Sequence, residues 1–187
     1  SIHGFKQEVE RKCGTDTPWV AFCRVFTTLP IAALVQKRIF CVHGGISPAA
    51  RTLEQIAGID RFREQGEEGP LIDLLWSDPE DMDEEFALNT RGAGWLFNSV
   101  ALKKFTHENE SELVVRSHQL VMEGWKYSFP DESLLTVWSA PNYCYRCGNE
   151  AVVLKLDRYL NRELVKIPAS PLSSGLLTEN RTHPYFL

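Results

Sequence analysis

RIFCVHGGISPAA, residues 38–50, places a histidine and two glycines directly after a short apolar run. The run RIFCV is typical of a buried β-strand, and that strand would end at His43. Such a histidine is either a packed core side chain before a turn or a ligand held at a strand end. Glycines allow the backbone to approach another group closely, which either interpretation can use. This stretch alone leaves both interpretations open.

Two later apolar runs also end on polar side chains. ELVVRS is followed by His118, and LLTVWSA is followed by Pro141, Asn142 and Tyr143. In sheet proteins, functional side chains gather where neighbouring strands end. Neutral imidazole is the commonest protein ligand for metals. Two histidines in the same relative position therefore indicate a metal site at one edge of a sheet, with a core role for each as the alternative.

Composition limits the class of protein. The chain has 187 residues, of which 43% are hydrophobic and 24% charged, values that suit one globular domain. A net charge of −5 disfavours a nucleic-acid partner, and no apolar run reaches the ~20 residues that span a membrane. The five cysteines are odd in number and irregularly spaced, which favours a reducing compartment. We therefore expect a cytoplasmic protein, with the nucleus as a second compartment, and no membrane partner.

The periodicity of apolar residues predicts an alternation of helices and strands. Helices are predicted in GFKQEVERKCG (4–14), TPWVAFCRVFTTLP (17–30), SPAARTLEQIAGI (47–59) and SVALKKFTHEN (99–109). In the third helix Ser47 is the expected N-cap. In the second, an aromatic stripe of Trp19, Phe22 and Phe26 is expected to be core. The acidic segment from Asp78 to Glu85 is expected to be a solvated loop.

Several of these segments together resemble a known family. They are CVHGGISP (41–48), LLWSDPED (74–81), RGAGWLF (91–97), VVRSHQLVMEGW (114–125) and TVWSAPNYCYRCGN (136–149). In this order they resemble the C-terminal half of phosphoprotein phosphatase catalytic subunits, the serine/threonine phosphatases, over residues 5–187. WSDPED, RGAGWLF and the ending PYFL resemble the type-2A branch.

The resemblance implies an α/β fold and a division of the chain. The expected fold is the C-terminal part of a four-layer α/β/β/α metallophosphoesterase sandwich, incomplete without an N-terminal half. Residues 1–167 would form that part of the catalytic domain, and residues 168–187 a flexible tail. Removing one half of such a sandwich would expose apolar surface, so the isolated chain is expected to be marginally stable, to associate with itself or to need a partner half.

The same resemblance assigns roles to five residues. His43 and His118 would be metal ligands, and Arg91 would clamp the substrate phosphate with its fork of donors. Tyr143 would line the phosphate pocket, with a half-buried loop tyrosine as the alternative. Arg116 would support its neighbours rather than touch substrate.

The loop after the third strand end would shape the substrate groove. The residues implied there are Asn142, Tyr145, Arg146 and Cys147. Half a zinc site built on Cys144 and Cys147 is an alternative, although no second C-x-x-C motif is present to complete it. At the other end of the chain, Leu187 would be the site of C-terminal methylation.

The family's G-D-x-H-G, G-D-x-V-D-R-G and G-N-H-E motifs are absent from the sequence. We therefore expect the carboxylate ligands, the general-acid histidine and a second phosphate-binding arginine to lie outside it, and we interpret the chain as a fragment or truncated gene product. The intact parent would hydrolyse phosphoserine and phosphothreonine on proteins with two divalent metal ions, Mn, Fe or Zn. Its partners would be phosphoprotein substrates and regulatory or scaffold subunits. The alternative function is an inactive pseudophosphatase that serves as an interaction module.

Overall fold

The computed structural model describes residues 4–62, 66 and 68–169, and all structural statements below concern that part of the chain. Its helices are α1 (Phe5–Cys13), α2 (Thr17–Phe26), α3 (Leu53–Ala57), α4 (Pro70–Trp76) and α5 (Ser99–Glu108). Its strands are β1 (Ala32–Val35), β2 (Ile39–Val42), β3 (Asp78–Pro79), β4 (Phe86–Leu88), β5 (Trp95–Phe97), β6 (Leu113–Arg116), β7 (Trp125–Tyr127), β8 (Leu134–Val137), β9 (Ala151–Leu156) and β10 (Arg162–Ile167). No described helix has the length and apolar character needed to cross a membrane.

A five-stranded mixed sheet forms the centre of the fold, in the order β1-β2-β6-β8-β7. The three middle strands, β2, β6 and β8, are parallel neighbours, and the two outer strands run antiparallel to them. Parallel strands end at the same edge of a sheet, so the residues that follow β2, β6 and β8 lie close together. This topology brings together the three strand ends that carry His43, His118 and Tyr143.

The two faces of this sheet bury different cores, because alternate side chains of a strand point to opposite faces. On one face, Phe40, Val114 and Leu134 join Leu102 and Phe105 of α5 in the larger core. On the other face, a smaller core of Ile39, Leu113, Leu135 and Val137 packs against leucines of the β9–β10 hairpin. Helices on one face and a second β-layer on the other confirm the predicted α/β class and its sandwich arrangement.

A small sheet in the order β3-β5-β4 carries the RGAG loop. β3 follows α4 directly and pairs in parallel with β5, which places Asp78 beside Leu96 in the register. The prediction of a solvated loop from Asp78 to Glu85 is therefore wrong at Asp78, which belongs to a strand. Asp78 is only 2% exposed, although Glu80, Asp81 and Asp83 are exposed as expected.

The third helix begins later than predicted. Ser47 is buried, and its hydroxyl donates to the Asp73 carboxylate at 2.6 Å while its oxygen accepts from the Ala49 amide at 3.1 Å, in a turn that no helix follows at Pro48. α3 begins instead at Leu53, where Thr52 and Gln55 form a reciprocal capping box. The hydroxyl of Ser47 thus serves a tertiary contact.

The aromatic stripe of α2 is not core in the described structure. α2 has no buried residue, and Phe22 and Phe26 are 40% and 46% exposed. Both rings contact Phe5 of α1, so the two helices share an aromatic cluster that stays at the surface. The predicted domain boundary at 167/168 stays a prediction, because the predicted tail lies outside the described residues from Ser170 onward.

Candidate active site

The turn after β2 is fixed by close packing. The amide groups of Gly44 and Gly45 both donate to the Leu74 carbonyl, at 2.9 and 3.3 Å. A Cβ on Gly44 would lie 2.5 Å from the carbonyl carbon of Leu75, and one on Gly45 would collide with the ring of Phe97. Neither glycine has a positive φ. The H-G-G sequence is therefore required because the turn lies directly against α4, and not by an unusual backbone conformation.

His43 and His118 converge at the edge of the sheet. Their ring centroids are 5.2 Å apart at an interplanar angle of 72°. His43 is exposed to the adjoining groove, whereas the His118 side chain is only 10% exposed. The Nε2 atom of His118 is buried without a hydrogen-bond partner among the described residues, an arrangement that leaves it available to a ligand absent from the structure.

Both imidazoles are held in the neutral form. Burial lowers the pKa of His118 to about 4, and the nearby cations Arg116 and Arg91 act in the same direction while Asp78 opposes them. Loss of water around His43 also lowers its pKa, again with help from Arg116. Neutral imidazole is the form that binds metals. His118 further adopts a left-handed φ of 58°, a conformation that is unusual for a residue with a side chain and is enriched at functional sites.

Asp78 connects the two arginines of the site. Its carboxylate accepts from Arg116 Nη2 at 2.7 Å and from Arg91 Nε at 2.9 Å. Its Oδ1 also lies 3.9 Å from His118 Nε2. Although burial acts to raise the pKa of Asp78, the charge of Arg116 and the hydrogen bond from Asn89 outweigh it, and the pKa is lowered. Asp78 is therefore an anion that organises the cations around it.

Arg116 is enclosed beneath the site. It is 2% exposed and donates to the carbonyls of Gly44 and Ser77, at 2.5 and 3.1 Å, as well as to Asp78 and to Gln119. Burial lowers its pKa to about 10, against the attraction of Asp78, so the guanidinium remains charged at neutral pH. Its contacts join the turns after β2 and α4, and the supporting role expected for it stays a prediction.

Arg91 is placed differently, at the surface of the groove. Its side chain is 39% exposed and is tethered to Asp78 through Nε. Within residues 4–62, 66 and 68–169, its two terminal nitrogens have no hydrogen-bond partner. A guanidinium held by one nitrogen, with the other two free, can still present paired donors to an anion.

These residues line one groove with a volume of about 1180 Å³. His43, His118, Arg91 and Tyr143 all contribute to its wall, together with Trp76, whose ring lies 5.3 Å from that of His118. The floor toward the middle of the sheet is apolar. The groove therefore combines neutral imidazoles and a guanidinium at one end with an apolar surface at the other.

The loop after β8 enters the groove through one residue. The Tyr143 ring packs edge-on against Trp138 at 4.8 Å, and burial raises the pKa of its phenol, which is thus protonated at neutral pH. The other residues predicted for this loop do not line the groove wall. Asn142 closes the loop through Gly148, Tyr145 and Arg146 are exposed, and Cys147 is partly buried.

Three buried polar residues stabilise the loops that carry Tyr143 and Arg91, and the sequence analysis did not predict them. Asn149 is buried, accepts from the Tyr143 amide at 2.8 Å and donates to the Ala140 carbonyl at 2.9 Å. Asp78 and Asn89 have comparable positions beside Arg91. A signal existed for Asp78 and Asn149, since both lie inside the quoted segments LLWSDPED and TVWSAPNYCYRCGN, but burial of their side chains follows only from tertiary structure.

Comparison with known proteins places this geometry in a family. A family model for calcineurin-like phosphoesterases matches residues 3–122, which is more than half of the chain. The chain belongs to the calcineurin-like phosphoesterase family. A solved structure of a protein serine/threonine phosphatase from Saccharomyces cerevisiae, described as similar to the human phosphatase PP5, matches this chain with a TM-score of 0.79 and 28% identity. The match covers 90% of this chain and 56% of the yeast chain, so this chain spans little more than half of that structure's length.

Phosphoesterases of this family generally use divalent metals. Two neutral imidazoles, one with a buried nitrogen that lacks a partner, fit the histidine part of such a site. However, no group of three or more histidine, cysteine, aspartate or glutamate side chains that could hold a metal is found among the described residues. The described residues therefore fit part of a metal site, and further ligands would have to come from elsewhere.

Proposed function

We propose that this phosphoesterase is part of a protein serine/threonine phosphatase that acts on phosphoserine and phosphothreonine by a two-metal mechanism. The observation that carries the proposal is the convergence of His43, the partnerless Nε2 of His118 and the free end of Arg91 on one groove. The yeast serine/threonine phosphatase that shares this fold supports the substrate class. Within that class we propose the type-2A branch, most similar to protein phosphatase 6, on the sequence segments quoted above.

Each residue has a distinct task in this proposal. His43 and His118 would hold divalent metal, manganese or an iron–zinc pair. Such ions supply an activated water and stabilise charge on the phosphoryl oxygens. Arg91 would grip two phosphoryl oxygens with its terminal nitrogens while Asp78 holds its Nε. Tyr143, protonated at neutral pH, could donate a hydrogen bond to the same phosphate.

The remaining machinery would come from a longer phosphatase chain. The resemblance assigns the carboxylate ligands and the general acid to motifs that the sequence lacks, so the 187-residue chain alone should hydrolyse no phosphopeptide, even with added manganese. In the intact enzyme the loop of Asn142, Tyr145, Arg146 and Cys147 would meet the substrate. Methylated Leu187, outside the described residues, would contribute to binding regulatory and scaffold subunits. We propose a signalling role in the cytoplasm, and also in the nucleus.

A second candidate function is that of a non-catalytic interaction module. It is favoured by one observation, namely that the described residues contain no complete group of metal ligands. In this case the groove residues would be retained for structure, and the exposed apolar face of α2 would be available to a partner protein. The two candidates differ in whether Arg91 and His118 affect turnover once the rest of a catalytic domain is supplied.

The test replaces the matching part of the yeast phosphatase with this chain and measures hydrolysis of phosphoserine and phosphothreonine peptides. We expect metal-dependent turnover that Arg91→Ala weakens by roughly 2–4 kcal/mol in transition-state terms, the scale for one preorganised charge-stabilising donor. His43→Ala should lose metal as well. Arg24→Ala, on exposed α2, is the matched arginine control. A folded chimaera without turnover, or one in which Arg91→Ala behaves as Arg24→Ala does, would favour the interaction module.

A further inference from the structure

Asn89 lies two residues before Arg91, and both polar atoms of its side chain are hydrogen-bonded. It is 7% exposed, in a loop whose neighbours Thr90 and Arg91 are exposed. Its Oδ1 accepts from the backbone amide of Arg91 at 3.0 Å. Its Nδ2 donates to the Trp76 carbonyl and to Asp78 Oδ2, both at 3.1 Å. No other described side chain is hydrogen-bonded to both the backbone of Arg91 and its carboxylate partner Asp78.

The two contacts of Asn89 meet at Arg91. The Oδ2 atom that accepts from Asn89 is the same atom that accepts from Arg91 Nε at 2.9 Å. Asn89 thus holds the main chain of Arg91 through Oδ1. Through Nδ2 it holds Asp78, the carboxylate that binds the Arg91 guanidinium. An Asx turn alone would need only the Oδ1 contact, so the Nδ2 contacts require a separate explanation.

The loop needs such a restraint because it contains two glycines with positive φ. Gly92 has a φ of 81° and Gly94 a φ of 70°. Gly94 is held against α4, since a Cβ there would lie 2.6 Å from the carbonyl carbon of Trp76, but Gly92 faces open space. On this side of the loop, Arg91 is therefore restrained mainly by Asn89 and Asp78.

We propose that Asn89 is a positioning residue for Arg91 and sets the direction in which the free end of the guanidinium meets an anion. The inference rests on the proposed function, because it assigns Arg91 to phosphate binding. Asn89 itself touches neither substrate nor metal. It lowers the number of orientations open to an exposed arginine, so that less conformational entropy is lost when the anion binds.

The test observes the Arg91 side chain in the full 187-residue chain. In ¹⁵N-labelled protein, the Nε–Hε signal of Arg91, assigned with Arg91→Lys, reports its hydrogen bond to Asp78, and titration with inorganic phosphate reports anion binding. For Asn89→Ala we expect faster solvent exchange of this signal. The dissociation constant for phosphate should rise about tenfold, because that factor corresponds to the free energy that one hydrogen bond contributes. The Nε–Hε signal of Arg116, bonded to the Gly44 carbonyl, should be unchanged.

Asn98→Ala is the matched control. Asn98 is also buried and also accepts from a backbone amide two residues onward, but it caps α5 and does not contact Arg91. We expect it to lower stability without changing the Arg91 signal or phosphate binding. Asn89→Asp keeps the Oδ1 acceptor, loses the Nδ2 donor and adds a negative charge beside Asp78, so it should weaken phosphate binding as Asn89→Ala does. It also provides a second variant should the alanine variant fail to fold.

The outcomes separate the two proposals. If folded Asn89→Ala retains the Arg91 signal and wild-type phosphate binding, the positioning role is wrong. If Asn89→Asp binds phosphate as the wild type does, the contact with Asp78 has no role and the proposal is overturned. If the Arg91 signal depends on Asn89 but phosphate binds Arg91→Lys and wild type equally, the positioning role stands and the phosphate clamp fails.

Discussion

Arg116 remains charged although it is buried, because Asp78 is bound to it at 2.7 Å. Each member of such a buried pair compensates the loss of water around the other, so removing one leaves an unpaired buried charge. This contrasts with the surface pair of Arg38 and Glu112, both about half exposed, which solvent screens. Within the site, the buried pair of Asp78 and Arg116 therefore matters most for stability, although the sequence around Asp78 did not single it out.

Asp78→Asn should accordingly cost roughly 3–5 kcal/mol of unfolding free energy, the range for breaking a buried ion pair. Urea denaturation at pH 7 measures the effect. Asp81→Asn, three residues along the same acidic segment and exposed, should change stability by less than about 0.5 kcal/mol. Equal effects of the two substitutions would mean that the pair with Arg116 does not determine stability.

The histidines give the chain a characteristic pH dependence. Because the pKa of His118 is about 4 in the folded state and roughly 6.5 when unfolded, the unfolded chain takes up a proton between these values and the folded chain does not. His43 is shifted in the same direction. Stability should therefore decrease as the pH falls from about 6.5 toward 4. The pKa of Asp78 is lowered in the folded chain, so its protonation reduces stability only when the pH falls below the ordinary aspartate pKa of about 3.9.

Urea midpoints between pH 7 and pH 4.5 test this dependence against His118→Asn. Asparagine tolerates the left-handed backbone at this position and does not titrate, so the variant should lose part of the pH slope without added backbone strain. His107→Gln, at an exposed position on α5, is the matched histidine control. An unaltered slope in His118→Asn would show that this histidine is not held neutral by the fold.

Some site residues could be predicted from sequence because a local pattern marks them. His43 and His118 each follow an apolar run, and parallel pairing of β2 with β6 then brings them together. Asp78 and Asn89 could not be singled out, since an aspartate in an acidic segment and an asparagine in a loop are both ordinary surface residues. Only the packing of β3 beneath the RGAG loop buries them.

At the scale of elements, helix starts illustrate the same limit. Ser47-Pro48 and Thr52 with Gln55 are both good N-terminal signals, with cap residues five positions apart, and the local sequence does not rank them. In the structure Ser47 donates to the buried carboxylate of Asp73 and closes a short turn with the Ala49 amide, whereas Thr52 caps α3. Strands β2, β6, β8 and β9 were predictable from their apolar runs. The short β3, β4 and β5 were not, since two or three residues carry no periodicity.

The start of α5 is capped by the side chain of Asn98. Asn98 has an extended backbone, and its Oδ1 accepts from the amides of Val100 and Ala101, both at 2.9 Å. Asn98→Ala should cost about 1 kcal/mol of stability and Asn98→Gly only a few tenths from capping. Asn98→Asp, which keeps the acceptor, should resemble the wild type in urea denaturation. Equal losses for alanine and aspartate would assign the effect to the Nδ2 contacts with the Met82 and Asp83 carbonyls instead.

For the molecule as a whole, the apolar pattern of the sequence and the observed burial disagree at the N-terminal helices α1 and α2. α1 and α2 have apolar residues at helical spacing, as core helices do, yet their shared cluster remains at the surface. Six apolar side chains of α1, α2 and the turn after α2 are 40–53% exposed, namely Phe5, Val20, Phe22, Val25, Phe26 and Leu29. Periodicity predicts which side of a helix is apolar, but it does not say whether anything in the same chain covers that side.

An exposed apolar cluster of this kind should make the purified chain associate as its concentration rises. Val25→Lys places a charge on the exposed apolar surface of α2 at a position that is 53% exposed, where the new side chain can reach water. We expect it to shift sedimentation-velocity profiles toward monomer across a concentration series while leaving the urea midpoint unchanged. Val100→Lys is the matched control, since this valine is 47% exposed but lies on α5, outside the aromatic cluster. If both substitutions reduce association equally, general charge repulsion is responsible. If Val25→Lys lowers the urea midpoint, the α1–α2 cluster contributes to folding more than its exposure indicates.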